Sequence, residues 1–220
     1  MKIRVAIITS LLVVSAFVAP AVADDGKFTL GLRAACAVPF GTAGDGWNLN
    51  ELTSFGVPVQ VDADFRVNEN WRVGAYFSAG QVKIADEAKS SLEGLGLSNV
   101  GGHRQQRLGV QLAYDFLPQA RFSPWVGVSA GYEWMRYAGA KLPTGMETEI
   151  GMAGLDAAVQ IGASYKVTPR FAIGPYAALD LGRFGRNVRW EEGGDTGSTD
   201  IIEKGTHEWV RLGVKAAFSF

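Results

Sequence analysis

The sequence predicts an all-β protein, a transmembrane antiparallel up-and-down β-barrel of eight strands with short periplasmic turns and long extracellular loops. Three observations lead to this prediction. Apolar residues alternate with polar ones in eight segments. The charges and glycines of these segments fall on the face opposite to the apolar residues. The connections between the segments are alternately long and short, as they are in outer-membrane barrels.

The amino terminus has the pattern of a secretory signal peptide. Two basic residues precede a mainly apolar stretch over residues 5–19, and a small-x-small site follows at residues 21–23. A membrane anchor is the weaker alternative, because the stretch is shorter than the ~20 residues that a spanning helix needs. We therefore expect residues 1–23 to be a cleaved signal peptide and residues 24–220 to form one barrel domain in the bacterial outer membrane.

The composition excludes two classes of protein. The formal net charge is −1, without the basic excess that is typical of nucleic-acid-binding proteins. The mean hydropathy of +0.07 is too low for a bundle of membrane helices. Glycine is unusually abundant, with 28 of 220 residues, which is about twice its ordinary share.

Each of the eight segments has the period-2 alternation of a β-strand. The last segment shows it most clearly, with an apolar residue at every second position from Val210 to Phe220. Segments of this length exceed the usual globular strand of about 5–6 residues and match a tilted membrane-spanning strand of about 9–11 residues. The predicted strands cover residues 27–37, 57–67, 71–80, 106–117, 124–136, 155–167, 171–182 and 207–220.

Charged residues test this alternation independently, because the apolar residues alone set its phase. All charged residues of the segments except Arg136 and Glu208 fall on the face opposite to the apolar one. A soluble periplasmic β-sandwich, the alternative fold, explains why the charges lie opposite to the apolar residues. It does not explain why glycine, which weakens strands, is frequent on the charged face. A narrow barrel explains both observations, because small residues make room inside for large charged ones. The charged face carries Gly31, Gly74, Gly80, Gly109, Gly127, Gly131, Gly162, Gly174, Gly182 and Gly213.

The connections between the segments alternate in length without exception. The long connections contain 18–25 residues and the short ones 3–6. Outer-membrane barrels show this asymmetry between extracellular loops and periplasmic turns. The short connections, at residues 68–70, 118–123 and 168–170, have the composition of turns.

Aromatic residues collect at the predicted strand ends, as in the interfacial girdles of membrane barrels. A thinner outer girdle is predicted from Tyr132, Trp134, Tyr137 and Phe184. Pro175, inside the seventh segment, cannot donate a ladder hydrogen bond, so we expect a local bulge there. The predicted periplasmic girdle contains Phe28, Phe65, Trp71, Tyr114, Phe116, Trp125, Tyr165, Phe171, Phe218 and Phe220.

The complete pattern resembles the small eight-stranded outer-membrane β-barrel proteins of the OmpA/OmpX type, a porin-like family. The resemblance covers residues 24–220 and depends on the strand pattern, not on a catalytic motif. Its most specific part is the last segment, residues 207–220, which ends in Phe after apolar residues at alternate positions. The resemblance implies that Phe218 and Phe220 form a signal for the barrel-assembly machinery, which would then be a partner.

The interior of the predicted barrel is the candidate site. An eight-stranded barrel has a lumen just wide enough for side chains to fill it, and the inward charges of the two signs nearly balance. We therefore expect ion pairs that plug the lumen, although an exchange of partners could open a narrow path. The predicted network contains Arg33, Asp62, Asp64, Arg66, Arg72, Arg107, Asp115, Glu133, Asp156, Lys166, Asp180, Arg211 and Lys215.

The search for catalytic and metal motifs gives no candidate site. His103 and His207 lie near predicted extracellular strand ends, where lipid-modifying barrels carry Ser and His. The His-x-Ser-Asn spacing of barrel-type lipid A deacylases is absent, and we interpret the histidines as rim residues, with His103 in a solvated loop. An acidic stretch in the last loop lacks the ordered spacing of a calcium loop. It consists of Glu191, Glu192, Asp195, Asp200 and Glu203.

The sequence thus predicts a non-enzymatic protein of the bacterial cell surface that contributes to membrane integrity or to surface interaction through its extracellular loops. A narrow or gated porin-like conduit for small or apolar solutes is the alternative, and a lipid-modifying enzyme is a weaker one. We expect a monomer without cofactor, metal or nucleic-acid partner. The expected partners are outer-membrane lipids, the barrel-assembly machinery and an unidentified ligand of the loops.

Overall fold

The computed structural model describes residues 26–94, 103–141, 147–191 and 196–220. Over these residues the chain forms a closed antiparallel β-barrel of eight strands, so the predicted fold class is confirmed. The predicted signal peptide, residues 1–23, lies outside the described residues.

Eight long strands form the wall, and each contains most of one predicted segment. Two short strands and two short helices lie in the extracellular connections, and none of the described helices has the length and apolar character needed to cross a membrane. In chain order the elements are β1 (Phe28–Gly44), β2 (Trp47–Asn48), α1 (Leu49–Leu52), β3 (Thr53–Arg66), β4 (Trp71–Ile84), α2 (Asp86–Gly94), β5 (His103–Asp115), β6 (Phe122–Lys141), β7 (Glu147–Lys166), β8 (Phe171–Glu191), β9 (Thr196–Asp200) and β10 (His207–Ser219).

The barrel closes between β1 and β10. Their pairing runs from Thr29 opposite Ser219 to Gly41 opposite His207, and β10 pairs on its other side with β8. Both terminal wall strands therefore have two partners, and the described wall has no free edge. The soluble sandwich, which leaves edge strands, is wrong.

The periplasmic turns are short, as predicted, and side chains fix two of them. In the first turn, Asn68 Oδ1 accepts hydrogen bonds of 2.9 Å from the backbone amides of Asn70 and Trp71. In the third, Thr168 Oγ1 accepts one of 3.0 Å from the amide of Phe171. Such local acceptors let a turn reverse the chain within a few residues.

Several strands extend beyond their predicted extracellular ends. β6 and β7 continue to Lys141 and Glu147, and β8 continues to Glu191. Backbone pairing persists outside the apolar band, with Tyr137 opposite Ile150. The alternation that predicted the strands ends where the lipid ends, but hydrogen bonding between strands does not require an apolar face. The sequence therefore underestimates these strands.

The bulge predicted at Pro175 is wrong. Gly162 pairs with Tyr176 and Tyr165 with Ile173, so the register is the same on both sides of the proline. The pairing to β7 is interrupted there without a shift, because a proline can be skipped by a ladder that keeps its register. The register of β7 and β8 shifts instead between Ala153 and Gly154.

The apolar face of the strands lies on the outside of the barrel. Leu155, Leu212 and Val110 are 70%, 62% and 62% exposed, and many other aliphatic side chains share this face. A contiguous apolar surface of this kind marks an interaction with lipid or protein. The outside of the barrel is therefore the surface that the bilayer would cover.

The aromatic residues at the periplasmic end form the predicted girdle with one exception. Trp125 is only 2% exposed and lies inside the barrel, and Phe184 of the predicted outer girdle is completely buried. Both residues have the alternation phase of the inward charges. This phase, and not their position near a strand end, determines that they face the interior. The ring contacts of the periplasmic girdle include Phe28–Phe220, Trp71–Tyr114, Tyr114–Phe116 and Phe218–Phe220, at centroid distances of 6.1, 4.9, 5.1 and 5.0 Å.

A covalent link between β1 and β10 is expected to lock the barrel. Thr29 Oγ1 and Ser219 Oγ are 3.1 Å apart across the closing pair. We expect Thr29→Cys/Ser219→Cys, in a Cys36→Ser background, to form a disulfide. After heating, the oxidised chain should migrate differently from the reduced chain in electrophoresis. The Thr29→Cys single variant is the control, and a double variant that does not cross-link would contradict this closure.

Candidate functional site

The inward-facing side chains fill the barrel with charge. Arg66 and Lys166 are partly exposed at the periplasmic mouth, and the other predicted network residues are buried. The eleven buried residues, each at most 6% exposed, are Arg33, Asp62, Asp64, Arg72, Arg107, Asp115, Glu133, Asp156, Asp180, Arg211 and Lys215.

The periplasmic layer of this network is centred on Arg72. Its Nε donates to Asp115 Oδ2 and its Nη2 donates to Asp115 Oδ1, both at 2.8 Å. The third nitrogen, Nη1, lies 3.1 Å from Asp64 Oδ2. Arg66 contacts Asp115 at 3.6 Å. The two-pronged Arg72–Asp115 pair fixes the orientation as well as the charge of both groups.

The central layer joins Arg33 to Asp62. Arg33 Nε lies 2.6 Å from Asp62 Oδ2, and Lys215 Nζ lies 3.1 Å from the same oxygen. Lys215 also approaches Asp64 at 3.5 Å, which connects this layer to the periplasmic one. The Arg33 guanidinium lies over the rings of Trp125 and Tyr176, at 5.6 and 5.3 Å from their centroids. Buried rings therefore contribute cation–π contacts to the charged interior.

The extracellular layer is centred on Asp180 and Glu133. Asp180 lies 2.6 Å from Arg211 Nη2 and 2.9 Å from Arg107 Nη1. Glu133 contacts Arg107 at 3.6 Å and His207 Nε2 at 3.1 Å. One carboxylate thus serves two cations, and Arg107 joins the two carboxylates.

Four buried glutamines, which a search for charges misses, complete the network. Arg33 donates to the side-chain carbonyls of Gln111, at 3.0 Å, and Gln160. Gln60 accepts from Arg211 at 3.0 Å and donates to Asp62 at 2.8 Å, so it links the central and extracellular layers. The fourth, Gln105, donates to Glu133. The glutamines have the inward alternation phase, and that phase was the signal that could have identified them.

Two predicted members do not form ion pairs among the described residues. Asp156 Oδ1 is buried without a hydrogen-bond partner there. Lys166 Nζ donates a 2.5 Å hydrogen bond to the carbonyl oxygen of Pro118. Both residues face the interior, but the sequence could not show that their positions lack an opposite charge at bonding distance.

An apolar cap lies above the extracellular layer. It is built from buried side chains of the wall, among which Trp209 and Phe184 are completely buried, and from two residues of the loops, Leu49 of α1 and Ile201. Asn48 holds α1 in place, because its backbone amide and side chain both donate to Glu51, and these hydrogen bonds lower the pKa of the Glu51 carboxyl. The cap consists of Ala37, Ala43, Leu49, Val82, Met135, Met152, Phe184, Ile201 and Trp209.

Glycines on the inward face make room for these side chains. A Cβ atom on Gly131 would lie 2.6 Å from Tyr76 Oη, and one on Gly162 would lie 2.5 Å from Trp125 Cζ2. Either contact is shorter than a carbon atom permits. The glycine excess therefore reflects the space that a filled eight-stranded lumen requires.

The interpretation of His103 as a solvated rim residue is wrong. His103 is 1% exposed and His207 is completely buried. The His207 ring stacks on Phe184 at a centroid distance of 4.0 Å. Both histidines have the inward phase of their strands, so the barrel encloses them. The strand of His103 begins three residues earlier than predicted, whereas β10 begins at His207 as predicted.

The acidic stretch of the last loop is only partly described. Glu192 and Asp195 lie outside the described residues, and Asp200 of β9 pairs with Arg186 of β8 at 3.8 Å. The backbone amide of Asp45, in the first loop, donates to the carbonyl oxygen of Glu203 at 2.9 Å, and the Glu203 amide donates to Asp45 Oδ1 at 3.2 Å. Within the described ranges, no cluster of His, Cys, Asp and Glu side chains could hold a metal ion.

Comparisons with known proteins agree with the barrel architecture. Residues 9–175 match the family described as outer membrane protein beta-barrel domain, and no curated protein sequence matches the chain. The structure is similar to that of Neisserial surface protein A, with a TM-score of 0.56, 16% identity and coverage of 89% of this chain and 98% of that one. It is also similar to OprG from Pseudomonas aeruginosa, with a TM-score of 0.51, 11% identity and coverage of 87% and 96%.

Loss of an inward charge is expected to destabilise the barrel more than loss of a lipid-facing side chain. Arg211→Ala removes one of the two cations that contact Asp180 and leaves the side-chain carbonyl of Gln60 without its donor. The loss of this buried partner should cost about 3–5 kcal/mol of unfolding free energy. Val110→Ala, on the exposed face, should cost about 1 kcal/mol or less. Urea unfolding in detergent micelles measures both, and equal losses would contradict a network that stabilises the lumen.

Proposed function

Since the chain belongs to the outer membrane protein beta-barrel domain family, we propose that it is a non-enzymatic, non-conducting barrel of the bacterial outer membrane. In this proposal the barrel is a rigid scaffold, and its contribution to membrane integrity or to surface interaction comes from its extracellular loops. One observation carries the proposal: ionic layers and an apolar cap occupy the lumen along its length.

The charge network supports a closed lumen. An ion that crosses the barrel would have to separate Asp180 from Arg107 and Arg211, and then Asp62 from Arg33. Breaking a buried pair leaves an uncompensated charge and typically costs about 3–5 kcal/mol. Several such separations in sequence would oppose conduction strongly.

The extracellular side supports a role in surface interaction. The first and last loops are held together, because the backbone amide of Asp45 donates to the carbonyl of Glu203 at 2.9 Å. On this joined surface Trp47 is 51% exposed and Ile202 is 91% exposed. Large apolar side chains presented on rigid loops are typical of binding surfaces.

The alternative function, a conduit for apolar solutes, has one observation in its favour. Pairing between β1 and β3 ends at Ala37 opposite Gly56, although β1 continues to Gly44. Behind this seam lies the apolar cap, because a Cβ on Gly56 would lie 3.8 Å from a ring carbon of Trp209. An apolar solute could pass between the cap and the bilayer there without crossing the ionic layers.

We expect the purified protein to give no stepwise conductance in planar bilayers at neutral pH, because paired charges occupy the lumen. Heat-modifiable electrophoretic mobility is the control for folding and insertion. Reproducible single-channel steps would contradict the closed-lumen proposal. Transfer of an apolar dye into liposomes tests the alternative, and faster transfer with the protein than with empty liposomes would favour the conduit.

A further inference from the structure

A depression of about 70 Å³ opens at the periplasmic end of the barrel, opposite to the surface considered for the proposed function. The ends of several wall strands and two turns surround it. Its lining contains one carboxylate, Asp115, and five cationic side chains. These cations are Arg66, Arg72, Lys166, Arg170 and Lys215.

The positive charge of this lining exceeds what its own carboxylate can balance. Arg72 is bonded to Asp115 and to Asp64 behind it, and Lys215 contacts Asp62 and Asp64. Lys166 is bonded to a neutral carbonyl oxygen. The depression therefore presents a positive potential to the periplasm, and a concave wall of low dielectric constant strengthens that potential.

Four hydroxyl side chains also line the depression. Thr29, Ser123, Ser164 and Ser219 bring them from β1, β6, β7 and β10. Ser123 is 5% exposed, and its Oγ has no hydrogen-bond partner among the described residues. A buried polar atom without a partner costs free energy. A ligand that accepts a hydrogen bond would remove that cost.

We propose that this depression binds the phosphate group of a small periplasmic solute or of a lipid headgroup. The donors come from separate strands and turns around the mouth, including β1, β3, β4, β6, β7 and β10. A tetrahedral phosphate directs its oxygens toward several walls, whereas a planar carboxylate directs two oxygens one way. Cations and hydroxyls together are the donor set that phosphate groups use.

Titration of the full chain, in nanodiscs of zwitterionic phosphatidylcholine, with inorganic phosphate tests the proposal. The backbone amide chemical shift at position 123, which belongs to serine in the wild type and to alanine in Ser123→Ala, reports binding. We expect a saturable shift in the wild type and a dissociation constant roughly tenfold higher in Lys166→Gln and in Ser123→Ala, because each loses one donor to a charged acceptor. Ser123→Ala removes a hydroxyl that bonds to nothing in the described structure, so its barrel should fold normally.

Arg121→Gln is the matched control. Arg121 is exposed, neighbours the depression without lining it, and lies over the Tyr165 ring at 4.9 Å. Its loss removes the same charge and should leave the dissociation constant within about twofold of the wild type. An equal loss of affinity in Arg121→Gln would overturn the proposal, because long-range attraction would then explain the binding.

Further ligands identify the chemistry and its source. Acetate should produce no saturable shift, and acetate binding as tight as phosphate binding would overturn the assignment to phosphate. Glycerol 3-phosphate represents a solute, and phosphatidic acid in the nanodisc represents a lipid headgroup. A saturable Ser123 shift with either supports the proposal and names the source. No shift with either of these or with inorganic phosphate would overturn it.

Discussion

The structure depends on one constraint: charges that the strands direct into a closed barrel must find their partners inside it. An isolated ion in a medium of low dielectric constant is very costly, and the narrow lumen leaves little room for solvating water. In the interior, one carboxylate contacts two cations at each of two places. Asp180 serves Arg107 and Arg211, Asp62 serves Arg33 and Lys215, and Gln60 connects the two groups. Because these residues come from different strands, each ion pair also fixes the relative position of two parts of the wall.

The other features of the interior follow from this network. Long guanidinium groups need space, and glycine provides it on the facing strands, as at Gly131 and Gly162. Aromatic rings fill the remaining volume, and Trp125 lies beside Arg33 at a cation–π distance. The apolar cap, to which the loops contribute Leu49 and Ile201, covers the extracellular layer of the network. The charged side chains, the glycines and the aromatic rings therefore pack against one another in the lumen, and a change in any of them would affect the packing of the other two.

The two ends of the barrel differ in what they present. The extracellular end is closed by an apolar cap and carries exposed apolar side chains on joined loops, which favours contact with another surface. The periplasmic end is open for a short depth and presents cations and hydroxyls, which favours a small anion. The network between the two ends contributes to the periplasmic one, because the Arg72–Asp115 pair, which joins β4 to β5, also lines the depression.

The sequence by itself determined the number of wall strands, the inward face of each strand and the charged residues on that face, because alternation with period 2 is a local property of a strand. It did not determine the partners. Whether Asp180 meets Arg107, or Asp156 meets no cation among the described residues, depends on the register between strands and on closure of β1 against β10. Trp125 and Phe184 were placed in the girdles because they lie near strand ends, although their alternation phase is that of the inward charges, and in the closed barrel both are buried in the interior. The sequence specifies which face a side chain belongs to, whereas only the closed barrel decides what lies opposite to it.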